Sequence, residues 1–284
     1  MTRNYRFDNI KFILITLVVL GHLLELVDGP IANNLYRIIY LFHMPAFIFI
    51  TGYFAKFNPV RILRSLIFPY IILQVLYLAF HNLFILEKDA FTLQFTKPYW
   101  ILWYLMTVTF YYLLIPFFQT EDRKKQLFIV AASIVVSLLA GYDKNIGYFL
   151  SLSRFFTFLP FFLAGHYLAK DKCLEQSFNK KGHALILPSI AAIGVALSII
   201  YIINSPIRYQ VLYGSYSYKA MEYGPGIKLL LTVFAACWIM LLLRVIPNKK
   251  IWGLSLIGKN TFLIFILHGF LIELANKYLC YLTK

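Results

Sequence analysis

The sequence predicts an all-α, polytopic bundle of about nine to ten membrane-crossing helices with a cytoplasmic N-terminus. Three observations carry that prediction. Apolar runs near twenty residues recur along the chain between short polar gaps, and that length matches the hydrocarbon core of a bilayer. Hydrophobic residues make up 61% of the 284 and charged residues only 14%, with a mean hydropathy of +0.72, a balance foreign to soluble enzymes of this size. Lys and Arg also collect in alternate gaps. The formal net charge of +15 is therefore read as orienting a membrane protein, with no nucleic-acid partner expected.

In chain order the spans are expected at 10–27, 35–55, 62–86, 99–118, 126–142, 147–169, 184–204, 227–246 and 260–281. With the N-terminus inside, seventeen of the 27 Lys and Arg fall on the cytoplasmic side and nine outside, leaving Arg154 within a span; that bias sets the orientation. The connections are short, no repeat is visible, and residues 1–284 read as one domain. The first apolar run leads into GHLLELVDGP rather than a small-residue cleavage site, so it is expected to stay as a helix. Cys173, Cys237 and Cys280 have no metal-ligand or disulfide spacing and read as ordinary thiols.

Chemistry concentrates in the first span. Lys11 and His22 are eleven residues apart, which on a helix returns to within roughly 20° of the same face after about 16 Å of rise. Asp8 and Glu25 lie three residues outside them, near that face. A titratable stripe inside a span is costly and usually faces a bundle interior or a wet cavity; the plainer alternative is interfacial anchoring. The second span brings His43 to the same outer half, and imidazoles there can accept and return protons or simply bond a neighbouring helix.

Arg61 and Arg64, three apart at a cytoplasmic helix end, suit bidentate capture of phosphate as well as they suit lipid headgroups. Trp100 and Trp103 read as an aromatic belt or as the wall of a sugar or acyl site. Arg154, about seven residues below the outer surface, needs a partner there, either Glu25 or a bound anionic group. Tyr209, Tyr213, Tyr216, Tyr218 and Tyr223 lie flat either on a carbohydrate or on headgroups. Asn260 is a candidate N-terminal cap for the last span, where His268 sits near mid-membrane as a packed residue or a site residue.

These pieces, in order, resemble one family. Asp8 to His22 as D-x-x-K, ten residues and H, then FHMPAF with T-G-Y, the R-x-x-R of Arg61 and Arg64 ahead of Pro69, LWYL with Trp103 and Tyr104, SRFFTFLPFFLAG around Arg154 and IGKNTFLIFILHGF around His268 are similar to the acyltransferase-3 family of integral membrane O-acyltransferases, its fucose O-acetyltransferase-like branch above all. The family usually has Arg where this chain has Lys11, which keeps the charge but loses the fork, and its core usually has ten helices.

The resemblance implies transfer of an acetyl group from cytosolic acetyl-CoA, the donor rather than a resident cofactor, to a glycan hydroxyl at a bacterial inner membrane. On that expectation Lys11, Arg61 and Arg64 hold the donor's phosphates, and His22 is the general base or, in a ping-pong route, the acyl carrier. Glu25 tunes His22, and Arg154 or His43 stabilises the oxyanion. Trp103, Tyr104 and His268 contact substrate. The rival class is a transporter or flippase in which the same charged groups bind an anionic substrate or relay protons, although no paired, Gly-broken hydrophobic segments in matching halves are visible.

Overall fold

A computed structural model describes residues 4–86, 93–170, 186–251 and 253–282, with side chains to residue 279. Cys173, the side chain of Cys280, and positions 184–185 of the seventh expected span lie outside the described residues; Cys237 is a free thiol. The described elements are helical, α1 (Tyr5–Leu24), α2 (Pro30–Phe54), α3 (Pro59–Ile85), α4 (Trp100–Phe118), α5 (Arg123–Ala140), α6 (Phe149–Lys170), α7 (Ile186–Asn204), α8 (Pro225–Val245), the short α9 (Leu254–Lys259) and α10 (Thr261–Leu282). Eight of these are long and apolar enough to cross a membrane. The ninth long helix, α5, forms as expected but opens on Arg123, Lys124 and Lys125, capped by the Asp122 side chain, which accepts from the Lys124 amide at 2.9 Å.

Helix ends follow local chemistry. Pro30 starts α2 five residues before the expected boundary, since a proline at the first helical position gives up no bond and presets φ. His43 is consequently more than a turn further from the start of its helix than expected. In α3 a π-helical turn at Leu63–Ile67 precedes Pro69, where the missing amide and the ring's clash with the previous turn favour a wider winding. Asn260 does not cap α10. Its side-chain amide donates back to the Leu256 carbonyl at 3.3 Å.

The centre of the bundle is the α2–α6 pair, and glycine makes it close. A Cβ on Gly52 would overlap the Phe162 carbonyl, and one on Gly165 would overlap the carbonyl of Phe49, so each helix presents its smallest residue to the other's backbone. This is the close-approach packing that membrane helices use in place of a hydrophobic drive. Around it lies a core that includes Phe49, Tyr111, Phe155 and Phe162. α1 packs against α2 and, through Gly258 at its Asp8 carbonyl, against α9; the Asn9 amide donates to the Pro247 and Lys249 carbonyls at 3.2 and 3.1 Å. The outer face of α7 shows Ile190, Ile193, Leu197 and Ile200, each more than half exposed, as a lipid-facing helix does.

Candidate active site

His22 lies in the last turn of α1, and Glu25 is the residue that follows the helix. Facing them, α2 presents Tyr36, Tyr40 and His43, whose spacing puts all three on one helical face. The Tyr36 and Tyr40 hydroxyls both donate to Glu25 Oε1, at 2.6 and 2.9 Å. His22 Nδ1 lies 3.0 Å from the Tyr40 oxygen and 3.5 Å from Glu25 Oε1. Because Tyr40 spends its proton on the carboxylate, its oxygen is left to accept, and His22 carries its hydrogen on Nδ1. The other nitrogen, Nε2, keeps the lone pair.

Burial alone would raise the Glu25 pKa, but the bonds from His22, Tyr36 and Tyr40 outweigh it and hold the carboxyl below its usual range. Glu25 is thus ionised at neutral pH. Tyr213, 2.6 Å from the Tyr36 oxygen, donates to it; its own pKa is raised, mainly by burial, so it stays a neutral donor.

On the other side of His22, the His268 ring of α10 stacks at 5.5 Å between centroids and 26° between planes, and the Trp100 ring meets it edge-on with centroids 4.7 Å apart. His268 donates Nδ1–H to the Ile264 carbonyl at 3.0 Å, and its Nε2 is buried without a partner. His43 likewise donates Nδ1–H to the Ile39 carbonyl at 2.7 Å. A neutral His43 therefore turns an acceptor, not a donor, toward its surroundings, which counts against the oxyanion role expected of it.

Arg154 forms a third wall. Its Nε donates to the Tyr213 carbonyl at 3.1 Å, and its guanidinium carbon lies 4.8 Å from the Trp103 ring centre and 5.3 Å from that of Tyr148. The expected partnership with Glu25 does not form: the carboxylate is taken by Tyr36, Tyr40 and His22 instead. The turn above Arg154 is pinned by the Ser153 and Thr157 hydroxyls, which donate to the Gly214 carbonyl at 2.9 and 3.2 Å.

A roof is held over these walls by a buried polar side chain. Gln74 on α3, fully buried, donates to the carbonyls of Gln94 and Lys97 at 2.5 and 3.1 Å and accepts from the Tyr99 amide at 2.8 Å. The Tyr99 hydroxyl then donates to Glu273 on α10. The adjoining Trp100 has φ +27°, and Leu150 and Ser151, just before Arg154, have +48° and +54°. Left-handed backbone in bulky residues is strained and tends to gather at functional sites.

The walls and roof enclose a cavity of about 430 Å³, within the range of small-molecule sites. His22, Glu25, His43 and Arg154 all line it, together with Trp103, Tyr104 and His268. Trp100 and Trp103 thus face the cavity rather than form a belt. Of the five outer tyrosines only Tyr213 lines it; Tyr218 turns away to donate to the Leu138 carbonyl at 2.8 Å. Lys11 is at the other end of α1, 3.0 Å from Asp8, and Arg61 and Arg64 are exposed on α3, so these three stand apart from the cavity. Tyr40, Lys97 and Tyr148 also line it and were not singled out from sequence. Tyr36, Tyr40 and His43 at helical spacing on one span were the signal that could have found the first.

A polytopic bundle with a histidine–carboxylate pair inside an aromatic-walled cavity is built like a membrane-embedded acid–base enzyme. The chain belongs to the acyltransferase-3 family, whose model, described as an acyltransferase domain, matches residues 4–283. It is also similar to the nodulation protein NolL of Sinorhizobium fredii (strain NBRC 101917 / NGR234), 30% identical over 158 residues that cover 48% of this chain and 42% of that protein. NolL of Mesorhizobium japonicum (strain LMG 29417 / CECT 9101 / MAFF 303099) is 42% identical over 59 residues, 19% of this chain and 16% of that one. The chain therefore spans less than half the length of these curated relatives. No solved structure matches.

Proposed function

We propose that this protein is a membrane O-acetyltransferase that moves an acetyl group from cytosolic acetyl-CoA to a hydroxyl of a cell-surface or lipid-linked glycan at a bacterial inner membrane. The observation that carries the reading is the chain from Glu25 through Tyr40 to His22, which leaves a basic Nε2 on a ring lining a closed-in cavity. His22 Nε2 takes the proton of the acceptor hydroxyl as its oxygen attacks the thioester carbonyl. The carbon–sulfur bond then breaks, and the departing thiolate takes the proton from His22, giving an ester and free CoA thiol.

Glu25 and Tyr40 are positioning residues that hold the ring in the productive tautomer. Trp103, Tyr104 and His268 supply the walls against which substrate lies. Arg154 is a cation inside the cavity, and its field favours negative charge developing on the carbonyl oxygen. Arg61 and Arg64, exposed at the opposite end of the bundle, suit the donor's phosphates; Lys11, tied to Asp8, suits them less.

The test is acceptor-dependent thiol release from acetyl-CoA by the protein in proteoliposomes. His22→Ala is expected to abolish it while the protein still inserts and extracts as the parent does. Transfer at near the parent rate by that variant would overturn the assignment of His22, and substrate movement without thioester cleavage would favour a carrier.

A further inference from the structure

Two cations flank one aromatic ring at the mouth of the cavity. Arg154 lies 5.3 Å from the Tyr148 ring centre, and Lys97 Nζ lies 5.7 Å from the same centre. Both line the cavity. Arg154 is fixed through Nε alone, and its two terminal amino groups have no hydrogen-bond partner among the described residues. The cavity's carboxylate, Glu25, already accepts from Tyr36 and Tyr40 and pairs with His22, so it does not neutralise them. Lining charge is then two cations against one saturated anion.

An arginine at this depth is normally matched by a negative partner, because an unmatched charge beside hydrocarbon is costly. The rings of Trp103 and Tyr148 offset part of that cost by cation–π contact and hold the guanidinium so that its fork is left for a ligand. A planar fork with two free donors, beside a mobile ammonium, is a receptor for carboxylate or phosphate oxygens.

We infer that the acceptor carries an anionic group, a carboxylate or a phosphate, which Arg154 and Lys97 bind while a neighbouring hydroxyl meets His22. This rests on the acyltransferase reading and narrows its substrate class. Three probes separate the possibilities in the proteoliposome assay: a glucuronic-acid-containing disaccharide, the matched neutral disaccharide, and the same neutral sugar on a polyprenyl diphosphate. One or both charged probes are expected to be acetylated with at least about tenfold higher kcat/KM than the neutral one. The disaccharide succeeding alone identifies a sugar carboxylate, and the diphosphate alone a lipid-linked phosphate.

Lys97→Gln is expected to raise KM for the preferred charged probe severalfold and so to narrow its advantage over the neutral one. Arg154→Gln is expected to raise that KM by tenfold or more and, because Arg154 also favours charge on the carbonyl oxygen, to lower kcat on every probe, with Arg154→Lys between. Equal kcat/KM on all three probes, with Lys97→Gln indistinguishable from the parent, would overturn the inference while leaving acetyl transfer intact. No transfer to any probe, with acetyl-CoA left whole, would instead overturn the reading of acetyl transfer from acetyl-CoA to a glycan, and this inference with it.

Discussion

The tautomer of His22 is decided by the hydroxyl of Tyr40, and one substitution removes that contact together with the bond to Glu25. Tyr40→Phe removes the oxygen at 3.0 Å and leaves Nδ1 only the carboxylate at 3.5 Å, too long to fix the ring well. The same hydroxyl donates to the ionised Glu25, and a hydrogen bond to a charged group is worth about 1.5–3 kcal/mol, so losing both contacts should lower kcat about ten- to a hundredfold with donor KM unchanged. Steady-state kinetics across pH check it, since a group that sets the tautomer shifts the pH profile as well as the rate. Glu25 makes a second prediction. Its native pKa is lowered by His22 and the two tyrosines against the opposing effect of burial, so the stability it contributes is full above the unfolded value near about 4.3. That stability disappears as pH falls through the lowered native value. Melting curves of the parent and Glu25→Gln should keep a constant separation above roughly pH 5 and converge on acidification; a gap that widens toward acid would contradict the ionised carboxylate. Sequence alone displayed Lys11, His22 and Glu25 because charge stands out in an apolar run. Tyr36 and Tyr40 were harder to see, because a tyrosine among apolar residues reads as lining until its hydroxyl is given a partner.

Among the elements, α2 and α6 bear on the site most directly, since α2 supplies Tyr36, Tyr40 and His43 and α6 supplies Arg154. Their spacing depends on Gly52 and Gly165, each against a carbonyl of the other helix. Gly165→Ala must force a backbone apart rather than a side chain aside, and overpacking of this kind costs typically about 1–3 kcal/mol. A thermal melt in detergent should show a clear loss for Gly165→Ala. Gly226→Ala, where an added Cβ meets nothing within 4 Å, should be neutral or slightly stabilising. Equal melts for the two would mean that the glycines are incidental. The spans themselves were legible because length and hydropathy fix them, and each expected span has a helix. Their ends were less so: Pro30 and Asn260 act through local bonding that hydropathy does not register. The roof was invisible, because Gln74 closes the 94–99 segment through main-chain carbonyls twenty or more residues away.

At the scale of the whole molecule the proposed chemistry needs two substrates to arrive from opposite sides, and the charge pattern fixes which side is which. Arg61 and Arg64 are exposed at one end, whereas Lys97 and Tyr213 border the cavity at the other. The seventeen-to-nine bias of Lys and Arg assigns the first end to the cytoplasm. The family resemblance placed donor phosphates and base at separate ends of α1; the fold adds that the aromatic walls, His268 and Arg154 converge on His22's end although they come from helices far apart in sequence, which no spacing rule could reveal. Sidedness is measurable with single cysteines placed in a chain whose Cys173, Cys237 and Cys280 are replaced by serine. In intact cells a membrane-impermeant maleimide should modify Lys97→Cys and spare Arg61→Cys, and permeabilisation should expose the second. Soaking the cells in acceptor beforehand should slow modification at Lys97→Cys alone. The reverse pattern would put the cavity mouth in the cytosol, where donor and acceptor would enter from one side, and a base set at the far end of a membrane helix would have lost its reason to be there.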